Sequence, residues 1–185
     1  MRMKTLAFMS KEAVMSENPL ADAETLLGAL LEGAGYSGFA FESAFTLRFE
    51  RCEPGVLHGE PLPLFMELRL DTDWWFEELQ FWREFAGTRG KAKDPSLGDQ
   101  SKAALLTELR WEDGAQIVRA ELNPNALQLT FANGTKIIVP ASLSGTWALT
   151  ELIDGAAIGR NYVESDSGDV YAEVMRSQRP SVRAS

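Results

Sequence analysis

Cys52 and His58, the only cysteine and the only histidine, stand six residues apart and are the one pair in the chain that could act as a thiol nucleophile and its base. Such catalysis needs the imidazole to take the thiol proton and a third group to fix the ring. The pair lies in a loop with Pro54, Gly55 and Gly59, and no orienting partner stands nearby. The expectation is therefore a loop cysteine and an exposed histidine. One Cys and one His also exclude an intrachain disulfide, a Cys/His zinc site and a two-histidine metal site. Ser144-Gly145 lacks the G-x-S-x-G elbow, and no glycine pattern matches a phosphate loop or a dinucleotide fingerprint. Asp166, Ser167, Gly168 and Asp169 lack the ligand order of a calcium loop and read as a solvated turn. Carboxylates are paired at Asp71 with Asp73 and at Glu77 with Glu78, but adjacency does not set the spacing across a cleft that a glycosidase needs. No catalytic residue, metal ligand or cofactor is assigned.

The densest unusual composition is Asp71 to Phe85. It joins Trp74, Trp75, Phe76, Phe81, Trp82 and Phe85 to Asp71, Asp73, Glu77, Glu78 and Glu84, with Arg83 as counter-charge. A chain that concentrates aromatics in this way buries them or offers them to a partner. If the segment is helical from Asp73, Trp74 and Trp75 share a side with Trp82 and Phe85. The expected partner site is Asp73, Glu77, Glu78 and Glu84 as an acidic rim, with Trp74 and Trp75 beside it.

The charge pattern agrees with an acidic contact surface. The chain of 185 residues has net charge −9, with +2 on residues 1–15 and +3 on residues 176–185, so residues 16–175 carry −14. That field repels phosphate backbones and anionic lipid and speeds encounter with basic proteins. Nucleic acid and membrane surfaces are therefore not the expected partners. Apolar residues make up 45% and charged residues 24%, enough core for a folded domain. The apolar stretch Thr5–Met9 is too short for an export signal, so the expected location is cytoplasmic.

Elements that could position these residues follow from periodicity. Residues 1–17 and 176–185 read as flexible tails around a single domain at 18–175. Asn18-Pro19 opens a helix with Leu20, Ala23, Leu26, Leu27, Leu30 and Leu31 on one stripe, stopped by Gly33–Gly38. From Phe39 the period becomes two, with a bend or bulge expected at Ser43-Ala44, and Leu64 to Leu70 alternates as a strand. Residues 88–98 read as a flexible connection between halves 18–87 and 99–175. Ser101 is placed to cap a second helix carrying Ala104, Leu105, Glu108 and Leu109, ended by Asp113-Gly114. A meander follows through Ile117–Leu122, a turn at Asn123–Asn125, Leu127–Phe131, the hairpin dipeptide Asn133-Gly134 and Ile137–Val139, with Trp147 and Leu149 in a last strand. Trp111 and Trp147, bordering that meander, are expected to be buried.

The halves can be laid side by side from Leu26 and from Leu105, sharing a Leu-Leu pair, a Gly-Ala step and a Leu-x-Phe strand. A duplication would write that match, and so would chance similarity between two helix-to-strand transitions. The expected class is α+β, with antiparallel sheets built from two helix-plus-meander units in a pseudo-duplicated arrangement and no parallel core.

Leu127, Leu129, Phe131, Asn133, Gly134, Ile137, Val139, Pro140 and Trp147 together make a pattern of about 45 residues. In it the second half resembles a group of small bacterial β-meander proteins, several of which look like immunity proteins encoded beside toxins. The resemblance implies a fold of that kind and an immunity-like role, and the acidic charge makes the expected protein partner one with a basic surface. Two function classes stand: a non-catalytic acidic protein-binding module, which the missing nucleophile and cofactor motifs favour, or an enzyme or small-ligand protein whose pocket is lined by Trp74, Trp75, Trp82 and Trp111.

Overall fold

A computed structural model describes residues 19–57, 59–77, 98–141, 145–153, 156–157, 161–166 and 169–174. In chain order the elements are α1 (Pro19–Leu31), β1 (Gly35–Phe41), β2 (Phe45–Glu50), β3 (Val56–Leu57), β4 (Glu60–Pro61), β5 (Phe65–Asp71) and β6 (Trp75–Glu77). They continue with α2 (Asp99–Trp111), β7 (Ile117–Asn123), β8 (Ala126–Phe131), β9 (Lys136–Pro140), β10 (Thr146–Ile153), β11 (Ala156–Ala157), β12 (Asn161–Asp166) and β13 (Asp169–Val174). The class is α+β with antiparallel sheets, and each half is a helix followed by a meander.

Helix α1 forms where Pro19 supplies a helical φ at the first turn, and it buries Ala23, Leu26, Leu27, Leu30 and Leu31. Helix α2 buries Lys102, Leu105, Leu106 and Leu109 at the spacing of Ala23, Leu26, Leu27 and Leu30. Gly33 and Gly114 both lie at φ +83, where a side chain would be strained, and each is followed by an alanine that leads into a strand.

The two meanders exchange their fourth strands. β1, β2 and β5 pair in sequence and then accept β10 from the second half; β7, β8 and β9 pair in sequence and accept β6 from the first. The larger sheet runs β1-β2-β5-β10-β12-β13, with β11 on β10, and the smaller runs β6-β9-β8-β7. Register repeats with order. Tyr36 lies opposite Phe49 and Ile117 opposite Phe131, and immediately afterwards each first strand skips one residue, Ser37 or Val118, before pairing resumes. The equivalent positions Gly35 and Gln116 bridge one another. Around that bridge Gly33 N–H donates to Ile117 O (2.8 Å), Ile117 N–H to Ala34 O (2.9 Å) and Tyr36 N–H to Ala115 O (2.8 Å).

The exchange needs two chain segments to cross. Thr72 leads from β5 toward β6, and Gly145 leads into β10; a Cβ on Gly145 would stand 2.5 Å from Thr72 Cβ and 3.1 Å from its Cα. Glycine fits because the backbones pass too close for a methyl group. One apolar cluster gathers α1, α2 and both sheets, from Leu27 and Leu47 to Leu129, Leu149 and Val163.

Several elements differ from expectation. Gly35–Gly38 belong to β1, because Gly33 alone stops α1; Ser43-Ala44 lie in a hairpin turn, and the bulge is at Ser37. Leu64 is 51% exposed, and β5 starts one residue later. Trp75–Glu77 are a strand, since β9 offers a free edge that outweighs helical spacing. α2 starts at Asp99 with Gly98 at its N-cap and no side-chain cap, while Ser101 sits in the first turn, and Ala104 and Glu108 are exposed. Trp147 is buried, but Trp111 is 76% exposed at the last residue of α2. His58, the tails at 1–17 and 176–185, and the connection 88–97 lie outside the described residues.

Candidate functional site

Trp74 is 1% exposed, edge-on to Phe45 (centroids 5.1 Å) and to Phe76 (5.3 Å), so it fills the core beside the crossing. Lys102 Nζ sits 5.2 Å from the centroid of its ring. Burial pushes the Lys102 ammonium below its ordinary pKa, and the nearby carboxylates of Asp73 and Asp99 act in the opposite direction. Trp75 is half-buried, and its indole Nε1 finds no acceptor among the described residues. Asp73 is exposed at the crossing, and Glu77 lies on β6 directly across from Lys136 of β9. Glu78 and Glu84 lie outside the described residues. Of the expected partner site, then, Asp73 faces solvent, Glu77 has a cationic cross-strand neighbour, and Trp74 is withdrawn from any contact surface.

Of the expected pocket wall, Trp82 lies outside the described residues, and Trp74 and Trp111 stand at opposite ends of α2. Lys102 stands over Trp74 in the first turns of α2 and Trp111 comes nine residues later, about 13 Å along the axis. Arg110 lies over the Trp111 ring with its Cζ 5.5 Å from the centroid.

A broader surface emerges on the larger sheet. Alternation sends Phe45, Leu47, Phe49, Met66, Leu68, Leu70, Trp147, Leu149 and Val163 into the core. The opposite face carries Arg48 and Glu50 of β2, Glu67, Arg69 and Asp71 of β5, Thr146 of β10, and Glu164, Asp166 and Asp169 of the last two strands. Register lines up Asp71, Thr146, Asp166 and Asp169 in one row across four strands. Arg48 Nε donates to Glu67 Oε1 (2.7 Å) and Arg69 Nε to Asp71 Oδ2 (2.6 Å), so both arginines on this face among the described residues are engaged. The hydrogen bond to Asp71 is the main reason the Arg69 pKa is raised. Reasoning from sequence missed this row because strand partners, and not composition, bring its members together.

Among the described residues no three His, Cys, Asp or Glu side chains converge as a metal site, and no helix is long and apolar enough to cross a membrane. Cys52 is free and exposed. Comparison with protein-family models, with curated proteins and with solved structures finds no match to this chain.

Proposed function

We propose that the chain is a non-catalytic, acidic protein-binding module acting in the cytoplasm on a basic protein, in the manner of an immunity protein that covers a toxin. The observation supporting this most directly is the outward face of the larger sheet, where Glu50, Glu67, Asp71, Glu164, Asp166 and Asp169 stand against Arg48 and Arg69. A face of that sign steers a cationic partner into register and raises its association rate more than its final affinity. The partner class is proposed from the resemblance expected for the second half.

The test begins with affinity purification from the source cell, followed by association kinetics at two ionic strengths. Changing Glu50, Asp166 and Asp169 to amides, and separately Asp73, Glu77, Glu78 and Glu84, should lower the on-rate and flatten its salt dependence for the set that faces the partner. A partner whose on-rate neither set alters would refute the acidic module.

A further inference from the structure

The connection from β2 to β5, with the first residue of β5, carries three of the six exposed large apolar side chains among the described residues. Phe65 stands 47% exposed opposite Glu50, Leu64 is 51% exposed, and Val56 is 71% exposed. The chain path joins them. Arg51 N–H donates to Leu64 O at 2.8 Å, and the β3–β4 hairpin that bears Val56 springs from between those two residues, closed at its base by Leu62 N–H to Gly55 O at 2.8 Å. Leu57 and Leu62 of the same hairpin pack toward the core, which pins it.

Charge around the patch is one-sided. Arg48 is held by Glu67, and Arg51 turns inward, its Nη2 donating to Ala29 O (2.9 Å) and Leu30 O (2.7 Å) at the end of α1. Glu50 and Glu53 remain exposed beside the apolar group. Exposed apolar area with an acidic rim matches the anatomy of a contact surface for a segment of opposite character.

We propose that this connection docks a basic amphipathic segment of the partner protein, its apolar side chains against Val56, Leu64 and Phe65 and its Lys or Arg against Glu50 and Glu53. The proposal rests on the acidic-module reading and names where on the module the partner is gripped. A second copy of the chain would set Glu50 and Glu53 against their own kind, so like charges disfavour it.

The probes are two labelled peptides of equal charge, one alternating Lys and Leu and the other alternating Lys and Ser, with binding read by fluorescence anisotropy at low and moderate salt. The Lys-Leu peptide should bind about tenfold tighter than the Lys-Ser peptide. In the Val56→Ser/Leu64→Ser/Phe65→Ser chain, whose circular dichroism should match the parent because all three side chains are exposed, that preference should vanish. A measurement on the unaltered chain adds a check. Cys52, next to Arg51, should be alkylated more slowly under saturating Lys-Leu peptide than under Lys-Ser peptide. Equal binding of both peptides overturns the docking surface and leaves the acidic module standing, whereas binding of neither at low salt overturns the module as well. A preference that survives the triple change with Cys52 unprotected overturns the assignment to this connection. A dimer in sedimentation that the triple change dissolves overturns it in favour of self-association.

Discussion

Replacing Gly145 by Ala tests the strand crossing. The new Cβ would fall 2.5 Å from Thr72 Cβ and 3.1 Å from Thr72 Cα, a backbone atom that cannot rotate away. Forcing the two segments apart costs about 1–3 kcal/mol, as overpacking does elsewhere. Against this, Ala restricts the unfolded chain and returns roughly 0.4–1 kcal/mol. The net loss expected is about 1–2 kcal/mol, read as a lower urea midpoint at unchanged slope by far-ultraviolet circular dichroism. Gly28→Ala is the control, since its Cβ meets only the Glu32 carboxylate, at an ordinary contact distance of 3.7 Å, in the middle of α1. That change should stabilise by about 0.5–1 kcal/mol. Thr72→Gly removes the nearer clash, so combined with Gly145→Ala it should show a favourable coupling of about 1 kcal/mol or more. Because one core joins the halves, tryptophan fluorescence and circular dichroism should follow the same transition in every variant. Additive effects at residues 72 and 145, or a stabilising Gly145→Ala, would refute the crossing as the tight point of the fold.

Lys102→Met keeps the stem but removes a buried ammonium and its contact with Trp74, and should raise stability at neutral pH by about 1 kcal/mol in chemical denaturation. The folded chain holds the Lys102 proton less tightly than the unfolded chain, so stability should climb with pH up to the ordinary lysine range near ~10.4, and that climb should be smaller in the variant. Tyr36 is the opposite case: burial raises its pKa, so the unfolded phenol ionises first and stability falls above about pH 10. Tyr36→Phe, which also removes a buried hydroxyl lacking a partner among the described residues, should lessen that alkaline loss and cost nothing at neutral pH in thermal melts. Arg51→Met takes two hydrogen bonds from the last turn of α1 and should destabilise by about 2–3 kcal/mol in urea titration. Trp74→Ala should cost about 3–5 kcal/mol, whereas Trp111→Ser should change stability by less than about 0.5 kcal/mol, both by denaturation.

Much of this fold is legible where one local signal dominates. The leucine stripe of α1 and the turns at Asn123–Asn125 and Asn133-Gly134 stand where periodicity and turn chemistry place them. In the first turn Asn123 Oδ1 accepts the N–H groups of Asn125 (2.9 Å) and Ala126 (3.1 Å), and in the second Asn133 Oδ1 accepts that of Thr135 (3.0 Å). What escapes is what distant partners decide. Trp74-Trp75-Phe76 has helical spacing in isolation, yet an open edge of β9 makes it a strand. Trp111 carries the composition of a core residue, but α2 turns it outward at its last position. The acidic row on the larger sheet depends on β10 joining β5 and β12 joining β10, pairings that no window of adjacent residues encodes.

The internal repeat also separates what the fold requires from what this chain adds. In the second meander β8 reaches β9 through the short turn Ala132–Thr135, in which Phe131 N–H donates to Thr135 O at 2.8 Å. At the equivalent place in the first meander the chain inserts the loop that carries Cys52, Glu53, Val56 and Leu64. The fold closes without such a loop, as the second half demonstrates, so Val56, Leu64 and Glu53 are additions to the repeated frame, joined to Phe65 and Glu50, which its strands carry. β12 and β13 bring Asp166 and Asp169 to the outward face of the larger sheet, while the smaller sheet ends at β6 among the described residues. Lys102 is a third departure, standing where α1 has Ala23. Its ammonium costs desolvation that the alanine avoids. Two of these departures build the surfaces proposed to meet the partner, one extending the larger sheet and the other joining two of its strands. Packing necessity accounts for what the halves share; the features that break the repeat on the outward face of that sheet are free of that constraint, and there selection for binding has room to act.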